Sequence, residues 1–251
     1  MATGARPEVW ILALNTATDA LGVGVLHIGI DPGQPGDPVG VEILLEPPAR
    51  RSGHSERLMP TVDEAMRLAG LGPAELGGVA VVAGPGGFTG VRTGLAAAKL
   101  IAQARGIPVW GLDTLDVLAA GCSASGLVAA MLDARRGDVF AAIYRPATGG
   151  QLAPERLDGP RLVALETFLS TLPAGEAVSF VGEGALRHRD LLARHPGARE
   201  LPAEAHSIRP ATIARLAAPG LLSGGMDPLA LLPSYQRPPT MAPDWVAGAP
   251  R

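Results

Sequence analysis

Residues 79–112, VAVVAGPGGFTGVRTGLAAAKLIAQARGIPVWGL, pass from one kind of structure to another several times within a short stretch. Val79 to Ala83 is wholly apolar and has the length of a buried strand. The glycine-dense GPGGFTG at Gly84 to Gly90 turns the chain, and Val91 to Arg105 reads as a helix that Gly106 and Pro108 end. Pro108 to Leu112 is a further apolar run. Strand, helix and strand in that order make a crossover between parallel strands.

Upstream, Val9 to Thr16 and Leu21 to Ile28 are apolar runs separated by the short turn Ala17 to Ala20, which is a hairpin pattern. DPGQPGDP (31–38) is turn chemistry, and Val39 to Leu45 reads as a third strand. From His54 to Ala69 the positions Leu58, Val62, Ala65, Met66 and Ala69 recur at helical spacing, with Gly70 as a stop. The first half is therefore β-β-β-α-β-α-β, a mixed sheet flanked by helices in an α/β protein. A weaker version occupies the second half, with strands at Leu127 to Leu132 and Val139 to Tyr144, a helix at Leu165 to Leu172 and a strand at Ala177 to Val181. No fixed-period repeat relates the halves in sequence. The expected division is a first lobe over 1–112, a smaller lobe over 113–205, a helix within 206–224 that packs back on the first lobe, and a proline-rich arm or tail over 225–251.

Composition narrows the function classes. At 251 residues and 47% hydrophobic content the chain fills one large core or two modest ones. No run reaches the roughly 18 apolar residues of a membrane span, and the N-terminal apolar stretch lacks the pattern of a secretory signal. With one cysteine, Cys122, a cytoplasmic location is expected. The net charge of −3 provides no global attraction for nucleic acid, so any such contact must be local or through a partner.

Three segments carry polar chemistry. Asn15-Thr16-Ala17-Thr18-Asp19 is either an ordinary turn or a cradle of hydroxyl and N–H groups for a phosphate. GPGGFTG is either an anion-binding loop at a helix start or a set of glycines needed for backbone geometry, with a left-handed backbone expected at Gly86. It is not a P-loop, because Thr89 stands sixth from Gly84 with no lysine after it, and it is not a dinucleotide fingerprint, because Thr89 takes the place of the third glycine. Asp133-Ala134-Arg135-Arg136-Gly137-Asp138 is a tight turn with Gly137 at its special angle, and its two arginines are also suited to a phosphate or a partner carboxylate. His27, His54, His188, His195 and His206 show no metal-ligand spacing.

Taken together, ILALNTATDALGVGVL, HSERLMPTV, AVVAGPGGFTGVRTGLAAAKLIA, GLDTL and MLDARRGDVFAAIY resemble the successive motifs of the TsaB, or YeaZ, family, densely over residues 9–145 and with echoes at VGEGA (181–185) and PSYQR (233–237). The resemblance implies two actin-like ATPase lobes of ribonuclease H-like topology. It also implies a part in making threonylcarbamoyl-adenosine next to the tRNA anticodon. TsaD, the catalytic paralogue, binds its metal through Asn-His-x-x-x-His, and here Thr114 and Leu118 stand where the two histidines would be. Neither side chain replaces an imidazole. Asn15 likewise stands where an aspartate is commoner.

The same resemblance implies a non-catalytic scaffold that binds TsaD and, with TsaE, supports threonylcarbamoyl transfer. No intrinsic cofactor or metal is expected, ATP and a metal belong to the partner subunits, tRNA is met through the complex, and monomer and homodimer are both open to the chain when TsaD is absent. An active actin-like-fold kinase or threonylcarbamoyl transferase is the alternative, and a stand-alone nucleotide sensor a third reading. The expected nucleotide contacts, in a pocket composite with TsaD, are Asn15, Thr16 and Arg135. Gly84, Gly86, Gly87, Phe88, Thr89 and Gly90 form a structural loop. The expected partner face is Leu58, Met59, Val62, Met66, Val91 and Leu95, although Met59 and Met66 would also suit a widened core stripe.

Overall fold

A computed structural model describes residues 8–31, 34–45, 54–149 and 151–234. The first sheet is built from β1 (Glu8–Asn15), β2 (Leu21–Asp31), a two-residue β3 (Gln34–Pro35), β4 (Val39–Leu45), β5 (Leu76–Gly84) and β6 (Val109–Asp113). β3 and β4 both pair with β2, and the sheet continues through β1 and β5 to β6. β1 and β2 are antiparallel, whereas β1, β5 and β6 run parallel. The helices α1 (His54–Ala69) and α2 (Phe88–Arg105) are the crossovers that parallel pairing requires.

The connector α3 (Thr114–Ala120) leads to a second sheet of β7 (Leu127–Arg135), β8 (Asp138–Arg145), β9 (Glu155–Ala164), β10 (Val178–Val181) and β11 (Ala198–Arg199), in the order β11-β10-β7-β8-β9. β7, β8 and β9 form an antiparallel meander, and β10 and β11 extend it parallel to β7. Its crossovers are α4 (Leu165–Ser170) and the short pair α5 (Glu183–Arg187) and α6 (Arg189–Leu192). Both sheets thus share one order of connections, a three-strand meander followed by helix, strand, helix and strand. The two lobes repeat in topology what the sequence does not repeat in residues.

Alternation along β7 shows how the lobes are joined. Val128, Ala130 and Leu132 face a core shared with the first lobe, while Leu127, Ala129 and Met131 face a separate core under α4, α5 and α6. The shared core also takes Leu115 and Leu118 of α3, and Ile213, Ala214, Ala217 and Ala218 of α7 (Pro210–Leu222), which lies across β1, β2, β5 and β6.

Several boundaries differ from those the sequence suggests. α2 begins at Phe88 rather than Val91, with Gly87 as its N-cap, and β5 runs on through Gly84. Residues 225–234 are no loose arm. The Met226 N–H donates to Val109 O of β6 at 2.8 Å, Leu231 is buried over Gly111, and the Ser234 N–H donates to Ala83 O of β5 at 2.8 Å, so this segment is tied to both β5 and β6. Residues 235–251, and with them the rest of PSYQR, lie outside the described residues.

Candidate functional site

The β1–β2 turn, the glycine-rich loop and the start of α3 close on one another at the carboxyl ends of the parallel strands. Turn geometry decides what each side chain can offer. Asn15 is fully buried: its Nδ2 donates to Thr18 Oγ1 at 2.8 Å and its Oδ1 accepts from the Ala17 N–H at 3.1 Å. Thr16, also buried, donates to Gly90 O at 2.7 Å. Both side chains are consumed in joining the turn to itself and to α2. The expectation that they contact a nucleotide is corrected on that ground.

Gly86 and Gly94 are there for close approach. A Cβ on Gly86 would meet the Ala17 carbonyl oxygen at under 3.0 Å, and one on Gly94 would meet Thr16 Oγ1 equally closely. The Gly87 N–H donates to Ala17 O at 2.8 Å. Only Gly84 in this loop has a left-handed backbone, at φ +106. Phe88 is exposed, with the Arg92 guanidinium 3.8 Å from its ring centroid. Thr114 holds the other side of the loop, donating to Pro85 O at 2.5 Å from a fully buried position. Leu118 is a core residue.

Asp113 caps α3 by accepting from the Leu115 N–H at 2.8 Å, and burial together with the Asp116 carboxylate holds its pKa up at about 6. Asp116 accepts from the Tyr144 hydroxyl at 2.8 Å and from Arg156, which ties α3 to the second sheet. The phenol is pushed far up by burial and by that carboxylate.

Across the junction, Glu183 at the start of α5 accepts from the Asp19 N–H at 3.3 Å. Burial and the nearby Asp19 carboxylate push its pKa up to about 7, with Asp133 adding to the rise. Asp133 in turn accepts from the Arg135 N–H at 3.1 Å and pairs with Arg187 at 3.1 Å. Arg135 is exposed on the β7–β8 hairpin, whereas Asn15 and Thr16 are buried. VGEGA marks this place in the sequence without revealing a role for Glu183. The signal lies in a carboxylate flanked by two glycines directly after an apolar strand.

An acid with a raised folded-state pKa binds its proton more tightly in the folded state. Its contribution to stability is full below the ordinary 4.5 of Glu183 and is lost as pH rises through about 7. Glu183→Gln is therefore expected to lose less melting temperature than wild type between about pH 5 and about pH 8. Equal losses in thermal melts at the two pH values would contradict this placement of Glu183.

Of the six expected interface residues, Leu58, Val62, Met66, Val91 and Leu95 are buried in the chain's own core and are unavailable to a partner. The reason is the width of the buried stripe: α1 packs against β2, β4 and α2, which takes Met66 inside along with Leu58 and Val62. Met59 is 50% exposed. Leu100 on α2, which no sequence pattern singles out, is 66% exposed. Ser55 Oγ lies 3.1 Å from Thr93 Oγ1, so the two helices meet near their N-terminal ends. Met59 and Leu100 lie one and two turns further along from that contact.

Among the described residues, no three His, Cys, Asp or Glu side chains converge as metal ligands would, and no helix is long and apolar enough to cross a membrane. A family model described as TsaD, tRNA N6-adenosine threonylcarbamoyltransferase, matches residues 46–219. The Bacillus subtilis tRNA threonylcarbamoyladenosine biosynthesis protein TsaB is 29% identical over 242 residues, covering 94% of this chain and 97% of that protein. The Escherichia coli TsaB is 32% identical over 143 residues, 56% of this chain and 57% of its own length. A solved structure of YeaZ from Pseudomonas aeruginosa superposes with a TM-score of 0.71 at 24% identity, covering 90% of this chain and 99% of that one, a likeness of fold.

Proposed function

Because the chain belongs to the TsaD family and matches a TsaB over nearly its whole length, we propose that it is a non-catalytic partner subunit in the biosynthesis of threonylcarbamoyladenosine in tRNA. It binds TsaD and, with TsaE, supports threonylcarbamoyl transfer to the adenosine next to the anticodon, in the cytoplasm. ATP and the catalytic metal are held by the partner subunits.

The observation that carries this reading is the use made of Thr114 and Leu118. By resemblance they occupy the positions of the metal-binding histidines of TsaD. Thr114 spends its hydroxyl on Pro85 O and Leu118 lies in the core. The donor set does not fit a catalytic metal, because one neutral, fully buried alcohol and an alkyl group do not replace a pair of imidazoles. The same two positions serve instead to fix the glycine-rich loop and join the lobes.

The face offered to TsaD is the outer side of α1 and α2 around Met59 and Leu100, and a second copy of this chain uses that face when TsaD is absent. Exposed methionine and leucine suit an apolar contact with adaptable packing. Mixing the purified chain with TsaD is expected to give a complex that elutes from size exclusion ahead of either protein. Separate elution at micromolar concentrations would count against the reading.

A further inference from the structure

The hairpin between β7 and β8 is built against backbone preference. Arg135 and Arg136 take φ +66 and +57, followed by Gly137 at +85. Only glycine enters that region without steric cost, and two-residue hairpins of this kind favour Asn-Gly. Backbone ties hold the strained form in place: the Arg135 N–H donates to Asp133 Oδ1 at 3.1 Å and Gly137 O accepts from the Leu165 N–H at 3.0 Å. Asp133 is further engaged by Arg187 at 3.1 Å.

The two arginine side chains are exposed, and among the described residues neither guanidinium has a hydrogen-bond or ion-pair partner. Two cations are therefore held at a strained tip without any task in the fold. Strain of this sort clusters at functional sites. The junction behind the tip carries Asp19 and Glu183 beside Asp133, whose carboxylate is paired with Arg187, so it offers little attraction to the phosphates of a free nucleotide entering there. An extended polyanion can touch the tip without entering.

On the reading that this chain serves tRNA modification, we propose that the Arg135–Arg136 tip contacts the phosphate backbone of the tRNA directly. Such contacts are insensitive to sequence and release counterions, so they weaken with salt. The net charge of −3 confines the attraction to this tip and makes it an addition to the binding supplied by TsaD.

The test is tRNA binding by the full chain assembled with TsaD, followed by fluorescence anisotropy over a range of salt concentrations. Arg135→Ala with Arg136→Ala is expected to weaken binding of any tRNA roughly tenfold and to reduce the slope of log K against log salt by about 2, whereas Lys at both positions keeps the slope. Arg136→Gly alone should reduce the slope by about 1 while raising the melting temperature by a few degrees, since strain is relieved as a contact is lost. If the double alanine variant binds with unchanged affinity and slope while wild type supports modification, the tRNA contact is refuted and the partner reading stands. If wild type has no effect on modification, the partner reading falls and the tRNA contact with it.

Discussion

Gly86→Ala is expected to lower the stability of the chain by about 3 kcal/mol, the upper range for forcing a methyl group into a packed interior. The new Cβ would overlap the Ala17 carbonyl oxygen. That oxygen is backbone and is held by the Gly87 N–H, so it cannot rotate aside as a side chain would. Movement would pull the β1–β2 turn from the loop and disturb the Thr16 to Gly90 bond. Gly87→Ala is the control: its Cβ would sit 3.8 Å from the same oxygen, in ordinary contact, at a cost below about 1 kcal/mol. Urea unfolding of both variants reads the difference. Equal midpoints would mean that close approach does not account for Gly86.

The second large effect separates two methionines seven residues apart on α1. Met66 is 8% exposed and part of the shared core, so Met66→Asp buries a carboxylate without a partner and should cost about 3–5 kcal/mol, with a cooperative unfolding transition well below that of wild type. Met59→Asp should melt within about 0.5 kcal/mol of wild type and yet lose TsaD in size exclusion, because the charge is solvated in the free chain and buried unpaired in the complex. A Met66→Asp protein that melts normally would overturn the core assignment. A Met59→Asp protein that still co-elutes would place the partner elsewhere.

These two residues also mark the limit of what sequence reveals. Periodicity sets the bounds of α1 at His54 and Ala69, where the structure has them, because a turn of 3.6 residues leaves a readable apolar rhythm. It does not decide how far round the helix the core reaches, because that depends on β2, β4 and α2 coming together from distant segments. β9 escapes for a related reason. Its ERLDGPRLVA lies at a sheet edge with register shifts against β8, so neither alternation nor unbroken apolarity marks it. α3 is only seven residues long and succeeds β6 without a break, with Asp113 as both last strand residue and helix cap.

At the site, the left-handed backbone that GPGGFTG suggests for Gly86 falls instead on Gly84, and Gly86 is required by the approach of Ala17. Glycine spacing signals a backbone demand but not which of several demands each glycine meets. Asn15 and Thr16 look like phosphate ligands because turn residues and anion-binding residues are the same types. Only the hydrogen bonds to Thr18 and Gly90 tell the two uses apart.

The most direct test of the partner-subunit account is reconstitution of tRNA modification from purified synthase, TsaD, TsaE, tRNA and ATP, with this chain present or omitted, reading threonylcarbamoyladenosine in the digested tRNA. The account predicts modification only when TsaD and this chain are both present, with no product from this chain in the absence of TsaD. Product formed by this chain without TsaD, or an unchanged yield when it is left out, would contradict it.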